Sequence, residues 1–277
     1  MRLSLKGAAV AASIAGALFM GVGDAFAQAQ DILNKFDRMG PFQVRVMSSG
    51  GSTFYVPQGP DARDLGIVGW GNGTGGNQNT YRGMLTQVAS FGVIVAAANT
   101  ANSGSGGEIV NAVETAMTMF SDQIAANPRI CTAGHSQGGG GANNAAIMLN
   151  NDCIINVESD TRFTVRITGP TPEGAESLII CGTGDTLAPC QGGNEANIRR
   201  MSRGPVALVL ITGISHFEPV GDGGDVSKYV AAFAASRLRD DALAMEARSL
   251  FVDGPNAISP ESVRELTRAQ TLKPESR

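Results

Sequence analysis

A chain of 277 residues, 43% hydrophobic and 17% charged with mean hydropathy +0.01, has the makeup of a globular protein with ample core. Net charge −4, pI near 5.3 and the lack of any lysine- or arginine-rich run exclude the basic footprint that binds nucleic acid or an anionic membrane.

The opening "MRLSLKGAAVAASIAGALFMGVGDAFAQAQ" carries Arg2 and Lys6, then an apolar stretch from Gly7 to Val22, then Ala25-Phe26-Ala27. A basic start, a short apolar core and an A-x-A site predict a signal peptide over 1–27, removed after Ala27. The rest, 28–277, reads as one domain with a charged tail over 257–277, and no other run is apolar enough to span a bilayer. The expected protein is secreted or periplasmic, free of the membrane once the leader is gone, and monomeric.

"FQVRVM" (42–47) and "STFYVP" (52–57) predict an antiparallel pair around a Ser-Gly-Gly turn. Strand 65–70, helix 79–92 and strand 93–98 follow. Residues 108–127 predict an amphipathic helix with Ile109, Val113, Ala116, Met117, Phe120 and Ile124 on one face. Next come strand 129–134, helix 137–149, strands 153–157 and 176–182, helix 194–201, strand 205–211 and helix 225–242. Continuous apolar strands interleaved with helices predict an α/β fold: a mostly parallel central sheet with helices on both faces.

In an oxidising compartment Cys131, Cys153, Cys181 and Cys190 read as two disulfides, and neither C-x-x-C spacing nor a nearby histidine supports zinc. Three pairings are possible. The favoured one joins Cys181 to Cys190 across a short loop and Cys131 to Cys153 near the starts of neighbouring strands.

The chemistry concentrates in "GHSQGGGG". Gly134-His135-Ser136-Gln137-Gly138 fits G-x-S-x-G between a predicted strand and a predicted helix, the context of a nucleophile on a strained turn. A serine hydroxyl needs a base, and the chain has two histidines. His135 stands beside the serine and points elsewhere, which leaves His216. Hydrolases of this architecture run Ser…Asp/Glu…His. Asp185, in the Gly-rich loop after strand 176–182, is the favoured acid, with Asp160 its competitor; Asp222 and Asp225 are expected to cap the next helix. The oxyanion donors are expected to be the backbone N–H of Gln137 and one within Gly71–Gly73, most simply that of Asn72.

"GHSQGGGG", "GTGDTLAP" and "GISHFEP", with "KYVAAFAASRL" and "FVDGP" behind them, resemble the cutinase-like polyester hydrolases, secreted members of the α/β-hydrolase fold. The similarity runs from about Gly66 to Pro255. It implies a serine esterase with little or no lid and no metal or organic cofactor, its triad at Ser136, Asp185 and His216, acting on a small acyl ester or a polyester. The chain departs from the family at Gln137, where Met is common, and lacks its aromatics in "NVESDTRF" and "GWGNGTG". The nearest pocket candidates are Trp70, Gly71 and Phe217. Competing readings are a lipase or carbohydrate esterase with the same triad, and a non-catalytic hydrolase-fold binding protein.

Overall fold

The computed structural model describes residues 22–251, apart from 78, 191 and 192. Residues 1–21 of the expected leader (1–27) and the tail over 257–277 lie outside the described residues.

Eight strands form one sheet, in the spatial order β1-β2-β4-β3-β5-β6-β7-β8. They are β1 (Gln43–Ser49), β2 (Ser52–Gln58), β3 (Ile67–Gly71), β4 (Ile94–Ala98), β5 (Ile130–His135), β6 (Cys153–Val157), β7 (Glu176–Gly182) and β8 (Val206–Ile211). β1 and β2 make the expected hairpin, Ser49 opposite Ser52, and β2 runs antiparallel to β4. Its turn residues Gly50 and Gly51 both have positive φ, +56° and +76°, the backbone that closes a two-residue hairpin without splaying its strands. All other pairings are parallel. Parallel neighbours need crossovers, and the helices between them supply these while covering both faces.

On one face lie α1 (Val22–Phe36), α2 (Arg82–Ala89), α6 (Ser227–Leu238) and α7 (Ala242–Arg248). They pack on Val68, Val95, Ala133, Ile155, Leu178 and Val209. The other face takes α3 (Gly107–Met119), α4 (Gln137–Leu149) and α5 (Asn194–Met201) over Ile67, Ile94, Ile154, Ile179 and Leu210.

α1 starts inside the expected leader and continues past its cleavage site. Ala29, Ile32, Leu33 and Phe36 follow the i, i+3, i+4, i+7 spacing of one helical face, and all four are buried against the α6 layer. Leu33 and Phe36 are fully enclosed, a contribution of about 1.5–3 kcal/mol each from burial. The residues just after Ala27 therefore belong to the core.

Three expected helices are shorter than their patterns, and the one over 79–92 spans only Arg82–Ala89. α3 stops at Met119; Met117 faces solvent, and Ile124 instead lies in a turn whose register bridges Leu65. The expected helix 225–242 divides into a 3₁₀ turn, Gly224–Val226, and α6, after which Asp241 caps α7 by accepting the Ala244 N–H. Both disulfides have the favoured pairing, Cys131–Cys153 and Cys181–Cys190. No helix among the described residues is long and apolar enough to cross a membrane.

Candidate active site

The C-terminal ends of β5, β7 and β8 converge on one cleft, the edge where open parallel sheets place their ligands. β5 ends at His135, and Ser136 makes the turn into α4 with φ 54° and ψ −121°, outside the regions an L-residue prefers. The surroundings hold it there. Its N–H donates to Val157 O at 3.0 Å, and its carbonyl accepts the N–H groups of Gly139, Gly140 and Asp160.

The glycines around it are required by close approach. A Cβ on Gly134 would lie 2.3 Å from Gly138 O, one on Gly138 2.1 Å from Gly71 O, and one on Gly141 1.9 Å from Ser103 O. Side chains at these positions would push α4 off the sheet edge and carry Ser136 with it. The Gln137 and Gly138 N–H groups open α4, ahead of those bonded to the Ser136 carbonyl, and they sit at the positive end of the helix dipole beside Ser136.

His216 lies on the loop after β8 and Asp185 on the loop after β7; both are buried. Ser136 Oγ donates to His216 Nε2 at 2.8 Å, and His216 Nδ1 donates to Asp185 Oδ2 at 2.8 Å. Asp185 Oδ1 accepts from the N–H groups of Leu187 (2.8 Å) and Ala188 (2.9 Å). Burial alone would raise the Asp185 pKa, but the bond from His216, the Ala188 N–H, the nearby imidazole charge and the Leu187 N–H together hold it below the usual carboxylate value. The Cys181–Cys190 bridge closes the loop that carries it.

Asp160, the competing acid, is spent locally. Its carboxylate accepts the N–H groups of Arg162, Phe163 and Thr164 and the Thr164 hydroxyl, which shapes the 160–164 loop as a wall of the cleft. Asp222 accepts the Gly224 N–H and Asp225 pairs with Lys228, and neither side chain caps α6, whose N-cap is Val226.

The cleft encloses about 540 Å³ and is lined by Gly73–Gly76, Tyr81, Ser136, His216 and a rim of exposed apolar side chains, Phe163, Leu187, Phe217 and Val220. Phe217 thus lines it as expected. Trp70 and Gly71 do not. Trp70 is fully buried on the α2 side of β3, edge-on to Tyr81, and Gly71 is closed off by Ile109 and Gly138. The side-chain amide of Asn72, the residue whose backbone N–H is the expected oxyanion donor, donates to Ala98 O (2.8 Å) and Thr100 O (3.1 Å), and the next residue, Gly73, faces Ser136. Gln137 accepts the Ser103 N–H with its side-chain oxygen at 3.0 Å.

Two residues of the site escaped sequence reasoning. Tyr81 Oη lies 2.8 Å from His135 Nδ1 and accepts the Gly73 N–H at 3.0 Å; no local signal connects a tyrosine to a histidine 54 positions later. Glu158 stands directly after β6 with positive φ, 42°, its carboxyl fully buried without a hydrogen-bond partner. A lone acid at the C-terminal edge of an apolar strand was the available signal. Burial, then the charges of Asp185 and Glu218, push its pKa up to about 9, so it is neutral at pH 7.

His135, Glu158 and His216 bring possible metal-ligand atoms within 4.8 Å of one another. Every imidazole nitrogen there already has a partner, since His135 Nε2 lies 2.8 Å from His216 O. Metal binding would break those bonds.

Two of the shifted groups act on stability in opposite pH directions. Glu158 titrates near 4.5 unfolded and about 9 folded, so the native state holds the extra proton and loses stability as pH rises through that window. His135, lowered from 6.5 to about 3 chiefly by burial, makes the native state lose stability as pH falls below 6.5. Glu158→Gln, which keeps a neutral group of the same shape, is expected to raise Tm progressively more from pH 5 to pH 9 in calorimetric scans. An equal effect at both ends would mean that Glu158 does not change protonation on folding.

Compared with known proteins, the chain matches no family model and no curated sequence.

Proposed function

We propose that the chain is a serine hydrolase of carboxylic esters with an α/β-hydrolase fold, exported from the cytoplasm. The observation that carries this reading is the unbroken pair of 2.8 Å hydrogen bonds from Ser136 Oγ through His216 to Asp185. His216 Nε2 takes the hydroxyl proton as Oγ bonds to the substrate carbonyl carbon. Asp185 accepts the Nδ1–H and stabilises the imidazolium. The oxyanion falls at the N-terminus of α4, where the Gln137 N–H and the helix dipole meet it. His216 then returns the proton to the departing alkoxide, which leaves an acyl group on Ser136. A water repeats the sequence, giving its proton to His216 and releasing the acid and the free serine.

The exposed apolar rim favours an acyl or polymer ester of apolar character over a sugar ester, because hydroxyl-rich ligands need polar partners that Phe163, Leu187, Phe217 and Val220 cannot give. Two disulfides support export to an oxidising compartment. A fluorophosphonate probe is expected to label Ser136 stoichiometrically, and p-nitrophenyl esters from acetate to octanoate to be hydrolysed in proportion to unlabelled enzyme. Folded protein that neither labels nor hydrolyses any of the series would leave a binding module as the better account.

A further inference from the structure

We propose that His135 and Tyr81 are positioning residues that tie the loop carrying the base His216 to the loop carrying Gly73, an inference that rests on the serine-hydrolase reading above. The chain of contacts is Gly73 N–H to Tyr81 Oη (3.0 Å), Tyr81 Oη to His135 Nδ1 (2.8 Å) and His135 Nε2 to the His216 carbonyl (2.8 Å). It is buried throughout.

Its polarity is fixed by chemistry. A carbonyl oxygen only accepts, so His135 Nε2 carries the proton. Burial, reinforced by the charge of His216, keeps the ring neutral with a pKa of about 3, so Nδ1 is an acceptor. Tyr81 must then donate its hydroxyl proton to Nδ1, which leaves an oxygen lone pair for the Gly73 N–H. One tautomer satisfies all three bonds.

The two ends matter to the reaction. His216 sits on an irregular loop, and the bond from His135 fixes the peptide from which the base projects. Gly73 faces the nucleophile: a Cβ on it would lie 3.3 Å from Ser136 Cβ and 2.8 Å from His135 Nδ1. The groups facing His135 are Tyr81, His216, Glu158, whose Oε2 lies 3.8 Å from Nε2, and Asp185 acting through its charge. With Glu158 neutral, the carboxyl 3.8 Å from Nε2 does not draw its proton away from the His216 carbonyl. The residue before the nucleophile is thus the knot between the base and the cleft wall.

The test is kinetic. His135→Phe keeps a ring and removes both bonds, His135→Gln keeps a distal donor, and Tyr81→Phe removes one hydroxyl. With p-nitrophenyl butyrate, His135→Phe is expected to lower kcat about 10–100-fold with KM within about threefold, as small misplacements of a reacting group do. His135→Gln should recover most of the loss. Tyr81→Phe should lose about 3–10-fold, and adding it to His135→Phe should cost little more, because both break one chain. Wild type and His135→Phe should share a single ionisation on the acid limb of kcat/KM. Wild-type kcat in His135→Phe, losses that multiply in the double variant, or a second ionisation that vanishes with His135 would each overturn the proposal. If His135→Phe does not fold, Tyr81→Phe decides alone, and an unchanged kcat there rejects it. Wild-type protein that takes no fluorophosphonate defeats the hydrolase reading, whereas labelled wild type with unimpaired variants defeats only this one.

Discussion

Replacing His216 with alanine is expected to lower kcat for a p-nitrophenyl ester by about 10⁴–10⁶-fold, with the fold and Tm nearly unchanged. His216 is the one imidazole within reach of Ser136 Oγ, since both nitrogens of His135 are engaged elsewhere. Without it the serine proton has no acceptor, and labelling by fluorophosphonate should fall in parallel. Asp185→Asn tests the second link. The amide can present its nitrogen to Nδ1, which favours the tautomer that cannot receive the serine proton, so kcat should drop about 10⁴-fold. Asp160→Asn, by contrast, should act on the shape of the 160–164 loop, with its effect in KM rather than in kcat. Asp160→Asn as damaging to kcat as Asp185→Asn would refute the assignment of the acid.

The second large effect is on folding. Gly138→Ala gains about 1 kcal/mol of helix propensity. Against that, the new methyl group would sit 2.1 Å from Gly71 O, 2.3 Å from Gly71 C and 2.6 Å from Asn72 O, all of them backbone. Overpacking commonly costs about 1–3 kcal/mol, and because no flexible side chain can give way here the top of that range applies, so after the propensity gain a net loss of about 2 kcal/mol is expected. In a domain of this size that lowers Tm by roughly 4–8 °C in a thermal melt. The matched control is Gly139→Ala, whose methyl meets the Ser159 hydroxyl at 1.9 Å. Adding Ser159→Gly should restore part of its stability, and no partner substitution of that kind should rescue Gly138→Ala. A Gly138→Ala protein as stable as wild type would mean that the α4–β3 contact is looser than described.

The elements read most accurately from sequence were those bounded by strong local punctuation. α4, α5, β6 and β7 begin and end where glycine, proline, cysteine or a change of periodicity places them. The failures came where a third dimension decides. β3 is buried along its whole length, so alternation could not say which face Trp70 takes, and it takes the core. The apolar spacing of 108–127 continues past Met119, but Phe120 is already in non-helical backbone and the segment turns to meet Leu65. α1 was hidden by overlap, because its first turns share residues with the expected leader. At the site, Ser136, His216 and Asp185 were legible because strand-end position and the shortage of histidines constrain them. Tyr81 was not, since its importance lies wholly in what is folded against it, and Glu158 was marked only by its place directly after an apolar strand.

The Cys131–Cys153 bond carries a consequence for how the molecule is assembled. It joins residues directly opposite each other on β5 and β6, 22 positions apart in sequence, and the segment between them is the nucleophile turn plus the whole of α4. Parallel strands pair only after a long crossover is brought round, and that search is a slow, entropically costly part of building such a sheet. In the oxidised chain this crossover is a covalent ring even when everything else is unfolded, which removes about 3 kcal/mol of closure entropy from the denatured ensemble. The strand that presents Ser136 and the strand that presents Glu158 are then partners before folding begins. The most strained turn in the site is therefore the one whose flanks have least far to travel.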